Sequence, residues 1–577
     1  MMNNIPVFVF FYVGSLLVLL SKGKIRNILL TAIPVISFIF LVTAQPGEYF
    51  NYSFLGFDLT LFRVDKLSLV FGYAFIIISL AIAFYGFHVK KNTEYFIGLI
   101  YAGSGLGAVF AGDLLTLYFF WEVMTIASTF LIWQGNFKES IGAGFRYFLF
   151  HLAGGLILLL GIILYINKTG NTEFSHMGWT DLPTGLIMIG FGVNAAWPFL
   201  HTWLTDSYPR GTFLGTVMLT VFTTKTAIYT LARGFAGEEI LIVIGAIMTA
   251  FPIFYAVLEN NMRKVLSYSL INQLGFMVAG IGVGTTLAIN GAVGQAFVHI
   301  MFKSLLFMGM GAVLHQTGKI NATELGGLYK YMPFTTAFTI IGSATISAFP
   351  LFSAFVTKSM ILSSIAHEGF AIIWLTLLFA SAGVLDHSGI KIPFFAFFSH
   401  DSGLKPKEAP WNMLVAMGFL AGLNIFLGIY PAPLLSILPY ETTYNAYTAG
   451  HVLFQYQLLF FSILAFTLLL RSGLYPAEIK AINLDFDYFY RKAGTIFMKF
   501  EDKYILPFFV FFKKLFFESI PELLNFLTKN PMQLLANIME DEPSTTSDVK
   551  IQGWLIGWSV FIITIFLLIY LLTFMHF

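Results

Sequence analysis

The chain has 577 residues, of which 57% are hydrophobic and 11% charged, with a mean hydropathy of +0.80. A soluble domain carries about 25% charged residues, so this chain belongs in a bilayer. A net charge of +2 gives no reason for a nucleic-acid partner, and zero cysteines exclude disulfides, iron–sulfur clusters and thiolate zinc sites within it.

A bilayer helix needs roughly 17–25 mostly apolar residues, and such runs recur here without the alternation of membrane β-strands. The composition predicts an all-α polytopic membrane protein of about 16 transmembrane helices. In chain order the spans are 5–20, 27–44, 67–88, 95–111, 113–133, 144–167, 184–203, 212–233, 239–258, 266–284, 289–314, 335–363, 370–399, 412–432, 453–470 and 553–574. The first lacks a basic leader and an A-x-A site, so it reads as an uncleaved helix. Glycine runs at Gly103, Gly105 and Gly107, and at Gly280, Gly282 and Gly284, fall inside spans and suit close helix packing.

Up to the thirteenth span, fourteen Lys and Arg lie in or at the edge of loops after odd-numbered spans, and four in or at the edge of those after even-numbered ones. The positive-inside rule then puts the odd loops in the cytoplasm of a multi-pass cell (inner) membrane protein, with both termini outside. Residues 474–552 mix Lys, Asp and Glu with dense Phe and Leu, an amphipathic pattern for the cytoplasmic interface. Pro507, Pro521 and Pro531 are expected to break that segment. The segments are then N-terminal helices (1–94), a translocating core (95–399), further core helices (400–473), the amphipathic segment (474–552) and a terminal anchor (553–577).

A charged side chain at mid-bilayer costs at least about 2.5–3.5 kcal/mol, so each needs a partner, a wet cavity or a task. The candidates are Glu122, Lys225, His299, Lys303, Lys358, Lys391 and the pair Asp386–His387. Glu122 has no basic residue within a turn and must find its partner on another helix. His299 and Lys303 share a helix face at i, i+4. Lys225 is flanked by threonines. Lys358 and Lys391 lie near Pro350 and Pro393, and broken helices free carbonyls that line ion sites.

Six motifs carry a resemblance: WEVMTIAS (121–128), WPFLHTWLTDSYP (197–209), TKTAIYTLAR (224–233), MRKVLSYSLINQLGFM (262–277), HIMFKSLLFMGMGAVLH (299–315) and FPLFSAFVTKSMIL (349–362). Over residues 60–430 the chain resembles the proton-translocating module of respiratory complex I and Mrp-type cation/proton antiporters, most of all the D-type subunits of the multisubunit Mrp Na⁺/H⁺ antiporters. The resemblance implies fourteen core helices with two inverted five-helix repeats and broken helices. It places the family's glutamate on Glu122, its eighth-helix lysine on Lys225, its eleventh-helix pair on His299 and Lys303, and its twelfth-helix lysine on Lys358. If the repeat holds, Lys391 mirrors Lys225 and Lys358 mirrors position 194. The tail resembles a shortened lateral helix and anchor of complex I, which implies a clamp on a neighbouring protein of the complex.

Position 194 departs from the family, whose lysine there pairs with the glutamate; this chain has Asn194. A neutral amide cannot offset Glu122, so either another cation does or Glu122 rests protonated. Three readings follow. The leading one is a subunit of a multisubunit Na⁺(or K⁺)/H⁺ antiporter, with other membrane subunits, H⁺, Na⁺ or K⁺ and lipid as partners and no cofactor of its own. The second is a pumping subunit of a redox complex, an NADH–quinone oxidoreductase or membrane-bound hydrogenase. The third is a scaffold with impaired transport.

Overall fold

The computed structural model of the chain describes residues 5–54, 56–475, 478–479 and 483–529. The chain divides into two compact units, Met1–Asp485 and Phe486–Phe577.

The first unit opens with α1 (Val7–Leu20) and α2 (Gly23–Thr43), then a β-hairpin of β1 (Gly47–Phe54) and β2 (Phe57–Val64). The hairpin occupies a stretch too short to span, and Phe54 pairs with Phe57 across a turn that uses Gly56 at φ 80°. Next come α3 (Lys66–Gly86), α4 (Asn92–Phe110), α5 (Leu114–Trp133), α6 (Ser140–Thr169), α7 (Leu182–Asn194), α8 (Thr202–Ser207), α9 (Phe213–Leu219) and α10 (Phe222–Gly234). They are followed by α11 (Glu239–Leu258), α12 (Met262–Val283), α13 (Thr286–Thr317), α14 (Pro333–Ile346), α15 (Ser353–His367), α16 (Ala371–Val384), the three-residue α17 (Lys391–Pro393), α18 (Trp411–Ile429), α19 (Ala432–Ile437) and α20 (Ala449–Arg471).

Side chains satisfy the free amides where several helices start. Asp65 accepts from the Ser68 amide and opens α3, Asp113 accepts from Thr116 for α5, and Asp181 with Thr184 forms a capping box for α7.

Among the described residues, ten helices are long and apolar enough to cross a membrane. The other expected spans divide by cause. At 14 residues α1 is short, α4 is less apolar, and the final span, 553–574, lies outside the described residues. The spans expected over 184–203, 212–233 and 335–363 are each broken in two: α7 and α8, α9 and α10, α14 and α15.

Two of these breaks share one backbone recipe. Ala196 and Phe199 flank Trp197–Pro198 with φ of 59° and 68°; Ala348 and Leu351 flank Phe349–Pro350 with φ of 56° and 76°. Left-handed backbone costs an L-residue about 1–2 kcal/mol, and finding it twice in one pattern supports an internal repeat. The shared register sets Asn194, the last residue of α7, against Ile346, the last of α14. Lys358, eight residues past Pro350, then falls against Asp206, eight past Pro198. Lys358 therefore does not mirror position 194 as spacing alone suggested.

Helices α12 and α13 form the centre, with 100% and 94% of their apolar windows buried inside the protein, whereas α2, α6 and α20 bury only 33%, 33% and 17%. A helix buried all round tolerates polar groups only if neighbours or water serve them, and α13 carries His299 and Lys303.

In the second unit, α21 (Asp487–Phe500), α22 (Leu506–Lys514) and α23 (Ile520–Lys529) follow one another through five-residue π turns at Glu501–Ile505 and Leu515–Ser519. Pro507 and Pro521 were expected to break this stretch. Instead each stands just after a π turn, whose wider hydrogen-bond ring removes the amide demand that proline cannot meet. Neither α21 nor α22 buries a residue. Pro531 and the terminal anchor lie outside the described residues.

Candidate ion path

Three lysines rest on backbone carbonyls freed where helices stop. Lys225, in the first turn of α10, points its Nζ at Thr220 O (2.5 Å) in the gap after α9, and at Thr224 Oγ1 (3.2 Å). Lys358 donates to Ile346 O (2.8 Å), the last residue of α14. Lys391 donates to Val257 O (2.6 Å) and Glu259 O (2.8 Å) at the end of α11. The ends of helices carry partial negative charge on unpaired carbonyls, so the breaks supply what an ammonium needs in a low-dielectric interior. All three side chains are buried, at 0–1% exposure.

Between them stand His299 and Lys303 on α13, both buried. Neither ring nitrogen of His299 nor Lys303 Nζ has a hydrogen-bond partner among the described residues. His299 lies within electrostatic reach of Lys225, Lys303 and Lys358, and Lys303 of Lys225 and Lys358. His387, in the π turn Leu385–Ile390, extends the line: it interacts electrostatically with Lys303, Lys358 and Lys391. Its Nδ1 pairs with Ser388 Oγ at 2.8 Å while Nε2 is buried without a partner among the described residues. Buried polar atoms in native interiors are nearly all paired, and water serves the remainder. The unpaired atoms of this line therefore mark a file that water can enter.

A chain of amides borders the file. Thr357 donates to Gln295, Gln295 to Gln273 (3.0 Å), Gln273 to Asn272 (2.8 Å), and Asn272 to Thr249 O. A cavity of about 210 Å³ reaches Lys358 from the side, lined among others by Ser359, Ser363, Ser381, His451 and Gln455.

The first half is built differently. Glu122 is half-buried in α5, faces Tyr118 one turn earlier, and has no ion-pair partner among the described residues; its Oε1 is buried and unpartnered. A Cβ on Gly155 of α6 would collide with that oxygen. One turn before Gly155, His151 is wholly buried, and its Nδ1 lies 2.8 Å from Asn194 Oδ1. Among the described residues, His151 Nε2 and Asn194 Nδ2 are unpartnered. The structure thus keeps Asn194 in the polar interior and seats a histidine, not a lysine, against it. Sequence reasoning passed over His151, although a lone histidine within an apolar span is the same signal that singled out His299. Asp386 lies five residues before Lys391, half-buried, with Oδ1 unpartnered among the described residues.

A family model described as the transmembrane region of NADH:quinone oxidoreductases and Mrp antiporters matches residues 111–384. This stretch is similar to that family's transmembrane domain. It holds Glu122, Asn194, Lys225, His299, Lys303 and Lys358, and the chain is an antiporter-like membrane protein. The A-type subunit of a Na⁺/H⁺ antiporter from Alkalihalophilus pseudofirmus is 30% identical over 433 residues, 65% of this chain and 53% of that protein. The chain thus spans about half the length of that relative. The D-type subunit from the same organism is 26% identical over 474 residues, 75% of this chain and 95% of that one. Among solved structures, a chain of the membrane-bound sulfane sulfur reductase, an archaeal respiratory membrane complex, shares the fold with a TM-score of 0.71 and 24% identity. That likeness covers 98% of this chain and 99% of the other.

Proposed function

We propose that this antiporter-like protein moves protons along Lys225, His299, Lys303 and Lys358, in exchange for Na⁺ or K⁺, within a multisubunit complex of the cell membrane. The observation that carries this reading is the buried file of four basic groups, two seated on helix breaks and two between them, none of which faces a carboxylate among the described residues. A file built for structure would be neutralised by acids, since unpaired buried charge is strongly destabilising. Like charges in one low-dielectric line repel, so a proton arriving on one group displaces the proton of the next. That is the coupling a stepwise relay requires. The loop lysines and arginines orient it with the breaks' basic-loop side toward the cytoplasm and both termini outside.

A second reading, a pumping subunit of a redox-driven complex, is favoured by one observation: the likeness to the respiratory chain above covers 98% of this chain, whereas the D-type antiporter relative aligns with 75% of it. Reconstituted complexes separate the two. For the antiporter, an imposed Na⁺ or K⁺ gradient drives an opposing pH change that Lys303→Ala removes. A preparation that carries flavin and iron–sulfur proteins and shows no gradient-driven exchange supports the redox complex instead.

A further inference from the structure

Three described residues of the stretch 478–485 reach back into the core. Asp485 accepts from Tyr268 Oη (2.7 Å) and lies 3.2 Å from His201 Nε2, in the gap before α8. Asn483 donates to Glu259 Oε2 (3.4 Å), which also pairs with Lys264 (2.9 Å). Glu478 lies 2.8 Å from Lys391 Nζ, with side-chain exposures of 8% and 0%.

The two carboxylates of this strap differ in kind. Asp485 is held by its tyrosine and histidine, as a structural anchor is. Glu478 has the contact with Lys391 alone: both its oxygens are buried, and neither has a further hydrogen-bond partner among the described residues. A buried ion pair that serves stability has its remaining lone pairs satisfied, and an unsatisfied one calls for water or a task. Its neighbour along the path is in place. Lys391 follows His387 by one helical turn, and His387 interacts with Lys303 and Lys358. Asp386 and Glu259 also face the pair electrostatically.

We propose that Glu478 is an ion-path residue: it takes the proton of Lys391 and passes it to the face that the strap covers. In this step an N–H bond of the Lys391 ammonium breaks and an O–H bond forms on Glu478. Amine and acid are then both neutral, and the acid releases its proton to water while Lys391 is reloaded from His387. The strap is thus a working part of the protein. This rests on the relay reading above and adds its terminal station.

The test uses the assembled complex in proteoliposomes, with cation-driven pH change as readout and copurification as the check on assembly. Glu478→Gln is expected to lose about tenfold or more of the transport, Glu478→Asp to restore part of it, and Asp485→Asn, which loosens the other anchor, to stay near wild type. Glu478→Gln within about twofold of wild type in assembled complexes overturns the proposal. If Glu478→Gln does not assemble, the exchange Lys391→Glu with Glu478→Lys decides. An assembled but inactive double variant supports a path role, and an assembled active one shows a purely structural pair. Lys358→Ala runs in parallel: if it is inactive while Glu478→Gln is active, only this proposal falls. If both are active, the relay reading itself falls.

Discussion

His151 Nδ1 and Asn194 Oδ1 sit 2.8 Å apart, both residues buried in the protein interior. Asn194 stands where the resemblance implies a lysine, and a neutral amide cannot act as the counter-charge of Glu122. Two unit charges about 4 Å apart attract by roughly 4 kcal/mol at an effective dielectric of 20. Without that partner, Glu122 loses its main reason to stay ionised.

Glu122→Gln is therefore expected to be mild, within about threefold of wild-type transport in assembled complexes, and Asn194→Lys is expected not to impair transport severely. Complete loss of activity in Glu122→Gln would make Glu122 an obligate site and this reading of Asn194 wrong.

The hydrogen bond itself contributes to stability. His151→Ala removes the partner of a buried amide and is expected to destabilise by about 1–3 kcal/mol, whereas His151→Gln, which keeps a polar group there, is expected to lose less. Thermal unfolding in detergent measures both; equal losses would show that ring packing against Tyr147 and Trp203, not the bond, holds the site.

Much of this was legible in the sequence because charge in a bilayer is expensive: Lys225, His299, Lys303, Lys358 and Lys391 stand out against apolar surroundings and are all buried in the fold. The helix breaks were half legible. Pro198 and Pro350 mark them, but only the backbone shows that both use the same left-handed pair, which moves the partner of Lys358 from position 194 to Asp206. Glu478 was not legible, since a glutamate in an amphipathic tail looks solvated until long-range folding brings it onto Lys391. Pro507 and Pro521 misled because local geometry, a π turn before each, absorbs them.

Truncation after Asp485 keeps the strap and removes only the second unit. If residues from Phe486 onward clamp a neighbouring protein of the complex, the truncated chain is expected to fold and insert but to lose its partners on copurification. Retention of the full partner set would refute the clamp.

Asp65 closes the start of α3 and receives Arg233 through both carboxylate oxygens, at 2.6 and 2.8 Å. Burial pushes its pKa up, but the guanidiniums of Arg233 and Arg63 and the Ser68 amide outweigh it and hold the carboxyl below its usual range. A folded pKa below the unfolded one means stabilisation that is present above the unfolded value and lost as pH falls through the folded value. Asp65→Ala is expected to lower stability by about 1–2 kcal/mol at neutral pH. The gap in Tm from wild type should narrow as the pH falls toward about 3; a gap that stays constant would contradict the ionic contribution.

The relay through the basic file is tested most directly by Lys358→Ala in the assembled complex, reconstituted in vesicles and driven by an imposed Na⁺ or K⁺ gradient. Lys358 links the α14–α15 break, its side cavity and the His299–Lys303 pair. A relay that runs through it predicts a normal partner set and a pH change no larger than that of empty vesicles. Transport within about twofold of wild type, with assembly intact, would take Lys358 out of the path and contradict the relay.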